Sequence, residues 1–228
     1  MPVMVSFFTY GWTQQCIRCF QDWFPELKVL VVDNNPTSAD QIKGWNWHNS
    51  KYNANVRWKI LFPYVLAERE WLKQQDNVVL ISGNYGNQHP NHGRSLSLGF
   101  KWCQERDIEI ALTLDPDCSF DSINWFYDLL KPIIVDDMWM VAHKAMKKPR
   151  NGGIWRQAAI PIMSRIDKIK WPLLERHVDG DLYSCMAWPY WQCGKKAVQV
   201  EVKDFKHHWC GSYDVVRNNR HCPYVSFL

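Results

Sequence analysis

The sequence predicts a mainly parallel, doubly wound α/β sheet, and three observations carry that reading. Short apolar, β-branched runs alternate with segments of helical spacing along the chain. Two of these runs, 27–32 and 108–114, lead directly into acids, Asp33 and Asp115. Open α/β sheets bind ligands outside the carboxyl ends of their strands. The 228 residues, 46% of them hydrophobic, suit one domain of this class.

Taken in order, residues 3–9 read as a buried strand ending at Thr9, followed by a helix over about 13–23. A second strand over 27–32 runs into Asp33-Asn34-Asn35-Pro36-Thr37-Ser38. Residues 41–59 are aromatic and polar with weak periodicity. Residues 67–75 look helical, 77–82 form a short third strand, and 83–93 make a polar loop rich in Asn, Gly and His. Apolar spacing at Leu96, Phe100 and Cys103 predicts a helix over 95–105. After the strand to Asp115 come a helix over about 122–130, a strand within 133–142, a loop over 144–153 and a short strand over 160–164. A helix after Asp181 and a strand over 197–202 close the series, ahead of His207 and His208. No repeat, low-complexity tract or linker interrupts it, so residues 1–228 read as a single domain.

Composition narrows the function classes. The net charge of +4 is mild and the basic residues are scattered, with Lys144, Lys147, Lys148 and Arg150 as the main cluster. A nucleic-acid groove needs a denser basic stripe, so no nucleic acid is expected as partner. No apolar run is long enough to cross a bilayer, and Met1-Pro2-Val3-Met4 lacks a basic signal-peptide start. A soluble, cytoplasmic protein is the expectation. The eight cysteines form no dense framework and are expected as thiols. Cys16-Ile17-Arg18-Cys19 is a CxxC inside a helix rather than at its first turn, where the dipole lowers a thiol pKa. A zinc site built from His207-His208-Trp209-Cys210 and His221-Cys222 stays open as an alternative. Most of the fourteen tryptophans belong to core and interface packing, and some suit the C–H faces of a sugar.

The stretch Leu112-Thr113-Leu114-Asp115-Pro116-Asp117 is the most informative. Positions two apart share a face of a strand, so Asp115 and Asp117 converge on one hard cation where extended geometry persists. Pro116 stiffens the step and ends ladder pairing, having no N–H. The bland alternative is a solvated turn.

Further motifs stand in a fixed order around it. Val29-Leu30-Val31-Val32-Asp33-Asn34-Asn35 precedes it, as does His92-Gly93-Arg94-Ser95-Leu96-Ser97-Leu98-Gly99-Phe100. A strand ending at Arg165, Val178-Asp179-Gly180-Asp181-Leu182, Gly194-Lys195-Lys196 and His207-His208 follow. This order, over roughly residues 3–213, resembles the family 2 glycosyltransferases of the GT-A fold. In that family the strand-end acidic turn, the DxD motif, a late acidic motif and a closing His occur in the same succession. Val178 stands where the family usually has Glu, a departure from its pattern.

The resemblance implies a GT-A sheet, a nucleotide-sugar donor, a glycan or lipid-linked acceptor, and Mn²⁺ or Mg²⁺. It divides the domain into a nucleotide-sugar-binding half, about 1–117, and an acceptor-binding and catalytic half, about 118–228. Thr9, Asp33, Arg94 and Asp115 would contact the donor, Asp33 through the nucleotide base. Asp117 would hold the metal with His207 or His208. Asp179 would be the general base of an inverting hexosyl or deoxyhexosyl transfer, with Asp181 as its rival. Either acid could instead cap a helix. Trp188, Trp191 and Trp209 are acceptor-site candidates, with core packing as the alternative.

Three other classes compete. A nucleotidyltransferase would carry a Gly-rich basic loop after the first strand, where this chain has Tyr10-Gly11-Trp12-Thr13-Gln14-Gln15. A methyltransferase lacks its Gly-rich turn at the same place. A non-catalytic carbohydrate-binding protein accounts for the tryptophans and not for the acids, and a thiol oxidoreductase rests on Cys16 and Cys19 alone.

Overall fold

Runs of Val, Ile and Leu suit strands buried on both faces, and they pair here as the hydrophobic pattern requires. The computed structural model describes residues 3–6, 12–33, 54–82, 92–116, 118–144, 158–169 and 192–207. The elements are β1 (Val3–Ser6), α1 (Trp12–Trp23), β2 (Val29–Asp33), α2 (Ala54–Lys73) and β3 (Val78–Ser82). Then come α3 (His92–Gln104), β4 (Ile110–Leu114), β5 (Cys118–Phe120), α4 (Asn124–Val135) and β6 (Met140–Lys144). The described chain continues through β7 (Ala158–Arg165), a 3-10 turn (Gly194–Lys196), β8 (Ala197–Val200) and β9 (Phe205–His207).

Among the described residues seven strands form one sheet in the order β3-β2-β1-β4-β7-β6-β8, and β5 pairs with β9 in a separate two-stranded ribbon. β1 is parallel to both β2 and β4, β2 to β3, and β6 to β8. β7 runs antiparallel to β4 and β6, so it alone is reversed among the described strands of the large sheet. The mainly parallel expectation therefore holds, with one reversed strand inserted. Hydrophobic pattern alone does not encode strand direction.

Alternation along the strands divides the core into two layers. Val29, Val31, Leu112, Leu114, Val141 and Met163 face α1, α2 and α4, and join Ile17, Phe20, Val65, Leu72, Trp125 and Leu129. Leu30, Val32, Ala111, Met140, Ala142 and Ile162 face the other way and join Leu96, Phe100 and Cys103 of α3. Trp125, fully buried, stacks on Phe120 with ring centres 4.2 Å apart and meets Phe24 edge-on at 6.5 Å.

Several boundaries differ from expectation for physical reasons. α2 starts at Ala54, well before residue 67, and runs through Pro63. A proline reads as a helix breaker in sequence. α3 takes in His92 and Gly93, read above as loop. α4 continues through Pro132 to Val135, so β6 starts only at Met140 and includes Lys144. β5 and β9, three residues each, are too short to show a period of two. The helix expected after Asp181, Thr9 at the end of the first strand, and most of the loops expected over 83–93 and 144–153 lie outside the described residues.

Candidate functional site

The order of the sheet fixes where a ligand can lie. From β1 the chain adds β2 and β3 on one side, then returns to add β4 on the other. The crevice beyond the carboxyl ends of β1 and β4 is thus the switch point, where open α/β sheets take their ligands. Register aligns Ser6, Asp33 and Ser82 across the ends of β1, β2 and β3. Met4 pairs with Leu114, so Asp115 leaves β4 one step beyond that pair, on the opposite flank of β1 from Asp33. Two acids that the sequence singles out therefore end strands on either side of the same crevice.

Both acids are nearly closed off from solvent, at 4% exposure for Asp33 and 9% for Asp115. Burying a carboxylate is costly without partners. Asp33 has one in Arg69, whose Nε donates to Asp33 Oδ2 in a buried ion pair. The neighbouring Glu68, also buried, accepts the Gln14 backbone N–H through Oε1 at 3.0 Å. Gln14 lies in the first turn of α1, where backbone donors have no acceptor within the helix. The Glu68 charge also suits the positive end of the helix dipole. α2 thus ties both the start of α1 and the end of β2. Sequence reading missed these two residues, although an acid-base pair inside the stripe Val65, Glu68, Arg69, Leu72 was a visible signal.

α1 also reaches the other acid. The buried Cys16 thiol donates to the Asp115 backbone carbonyl at 3.7 Å. Cys16 packs in the same apolar layer as Leu114 and Cys118. A thiol in that setting is a structural one. Burial pushes the Cys103 and Cys193 thiols up to about 11, well above the thiolate-forming range.

Directly after Asp117 the chain forms β5, and β9 pairs with it antiparallel. The register sets His207 opposite Cys118, Lys206 opposite Ser119 and Phe205 opposite Phe120. Three polar contacts hold the ribbon at its far end. Asp121 N–H donates to Asp204 O at 2.9 Å, Ser122 Oγ donates to Asp204 Oδ2 at 2.7 Å, and Lys206 Nζ lies 2.6 Å from Asp121 Oδ2. Asp204 takes the left-handed conformation, φ 57°, that this tight entry requires, and Asp tolerates it better than most residues. Sequence reading brought His207 near the DxD step by resemblance only; the ribbon supplies the physical connection.

Of the other residues named from sequence, Arg94 and His207 are described in backbone alone, in the first turn of α3 and at the end of β9. Thr9, Asp117, Asp179, Asp181, His208, Trp188, Trp191 and Trp209 lie outside the described residues. Among the described residues no three His, Cys, Asp or Glu side chains gather as a metal site. No described helix is long and apolar enough to cross a membrane.

Neither a protein-family model nor a curated protein sequence matches the chain. Solved structures do. Bifunctional IspDF from Campylobacter jejuni superposes with a TM-score of 0.53 at 14% identity, covering 88% of this chain and 49% of that one. The chain thus spans about half the length of IspDF. The 4-diphosphocytidyl-2C-methyl-D-erythritolsynthase of Anaerococcus prevotii gives 0.52 at 10% identity, over 89% and 86% of the two chains. Glucosyl-3-phosphoglycerate synthase from Mycobacterium tuberculosis, in complex with Mn²⁺, uridine diphosphate and phosphoglyceric acid, gives 0.51 at 10% identity, over 94% and 72%. With its parallel β3-β2-β1-β4 half, reversed β7 and strand-end acids, this chain has a GT-A-like α/β fold.

Proposed function

We propose that the chain is a metal-dependent, inverting glycosyltransferase that moves a sugar from a nucleoside-diphosphate donor to an acceptor hydroxyl. The observation that supports this reading is that Asp33 and Asp115 end strands on either side of β1 at the carboxyl edge of a GT-A-like sheet, with β5 following Asp117 and pairing with β9. Asp33 takes the nucleoside, and Thr9 and Arg94 assist on the donor side. Asp115 contacts donor ribose or sugar. Asp117 and His207 or His208 hold the cation. Carboxylate oxygens and a neutral imidazole form a donor set suited to Mn²⁺ or Mg²⁺, so the residues fit the ion. When bound, it would neutralise charge on the diphosphate leaving group.

Asp179 serves as the base in this reading. It accepts the acceptor hydroxyl proton as that oxygen bonds to the anomeric carbon, while the bond from that carbon to the diphosphate breaks. Attack opposite the leaving group inverts the anomeric centre. Trp188, Trp191 and Trp209 would offer flat faces to a glycan or lipid-linked acceptor. The test is nucleotide-sugar turnover with Mn²⁺ and after chelation, in wild type and in Asp179→Asn. Folded Asp179→Asn should lose at least about 100-fold in kcat, within the range for a positioned base. Full activity in that variant would overturn the assignment.

A second reading is nucleotidyl transfer, favoured by the likeness to IspDF and to the diphosphocytidyl-methylerythritol synthase. It predicts pyrophosphate release from a nucleoside triphosphate in the presence of a phosphorylated alcohol. The glycosyl reading predicts release of nucleoside diphosphate, so one product assay separates them.

A further inference from the structure

The core-facing stripe of α2 holds Val65, Glu68, Arg69 and Leu72, at i, i+3, i+4 and i+7. Half of this stripe is ionisable, and Glu68 is accounted for by the first turn of α1. Arg69 reaches Asp33 at the end of β2, with side chains only 10% and 4% exposed. Such a pair is a poor way to gain stability. Desolvation offsets most of the attraction, and apolar side chains of similar volume often do as well. What the pair does supply is a fixed carboxylate at the ligand-facing end of β2.

We propose that Arg69 is a positioning residue: it holds the Asp33 carboxylate in the orientation that accepts a hydrogen bond from the nucleoside of the bound nucleotide. This rests on the nucleotide-sugar reading above and adds a residue from α2 to it. An ionised carboxylate has about four acceptor sites, so an ion pair and a ligand donor can share it. An Asp side chain already locked before binding loses less rotamer freedom when the ligand arrives. Arg suits the task better than Lys, since its planar fork fixes direction as well as charge.

The experiment compares two probes by calorimetric titration with Mn²⁺ present. One is the tightest binder among UDP, GDP, CDP, dTDP and ADP; the other is inorganic pyrophosphate, which lacks a nucleoside. Arg69→Gln should weaken the nucleotide about tenfold and leave pyrophosphate within about twofold, with Arg69→Lys recovering part of the loss. In an Asp33→Asn background, Arg69→Gln should have little further effect, since the two act through one contact. Equal weakening of both probes, or no weakening of the nucleotide, would overturn the proposal. Should Arg69→Gln not fold, Arg69→Lys gives the same comparison. A wild-type protein that binds pyrophosphate and none of the five nucleotides would remove the nucleotide-sugar reading itself, and this proposal with it.

Discussion

Trp125 organises one layer of the core through its stack on Phe120 and its edge contacts with Phe24 and Phe126. Its indole N–H has no hydrogen-bond partner among the described residues, so its contribution there is packing. Trp125→Ala should therefore cost about 3–5 kcal/mol in urea unfolding, and Trp125→Phe clearly less. A Phe variant as damaging as Ala would mean that ring filling is not the source of the stability. That a tryptophan fills the core was legible from its size, yet among the described tryptophan side chains Trp125 alone is fully buried, Trp71, Trp102 and Trp139 pack partly buried against the core, and Trp23 is exposed. Asp33 and Asp115 were legible too, because an acid closing an apolar run is a local pattern. Arg69 was not, since its partner lies 36 positions away and on another element. Pairing across that distance is set by how α2 lies on the sheet.

Helices and strands were readable where one face is clearly apolar and were misread where it is not. α1 and β2 fell close to expectation. α2 was shortened because Pro63 reads as a stop and the aromatic stretch before it lacks a stripe. Pro63 is exposed and leaves the carbonyl four residues earlier without its helical N–H partner. Pro63→Ala should accordingly raise stability, by about 1–3 kcal/mol, with the urea midpoint moving up at unchanged slope. The β8–β9 connection carries a second element-level prediction. His143 Nδ1 accepts the Val202 N–H at 3.1 Å, so the ring must be neutral at that nitrogen. Burial lowers the His143 pKa from its ordinary 6.5, against opposing effects of Glu201 and of a hydrogen bond with the Val200 backbone. The folded state thus binds fewer protons than the unfolded chain. The stabilisation is present above pH 6.5 and is lost as pH falls through the lower folded value. His143→Gln should flatten that acid limb of the stability profile. An unchanged limb would move its origin to other groups.

At the level of the whole molecule, the alternation of strands and helices was enough to foresee a doubly wound sheet, because each buried run needs cover on both faces. It did not disclose the reversal of β7, because a strand's composition does not encode its direction. The candidate site depends on both facts. Parallel β1, β2 and β4 bring Asp33 and Asp115 to one crevice, and the ribbon of β5 and β9 joins the step after Asp117 to His207 from far along the chain. A ligand bridging these parts binds only the assembled fold, so it must stabilise the whole domain. At a hundred times its Kd, a nucleoside diphosphate with Mn²⁺ should add about 2.7 kcal/mol. For a domain of this size each kcal/mol moves Tm by about 2–4 °C, so a rise of roughly 5–11 °C is expected in a thermal melt. Removing the cation with EDTA should abolish most of that rise while leaving the Tm of the free protein unchanged. Asp115→Asn should reduce the rise without altering the unliganded Tm by more than a few degrees. Nucleotide-dependent stabilisation that persists through chelation would place the affinity in the nucleoside contacts at Asp33 alone and argue against a role for the cation in gripping the donor.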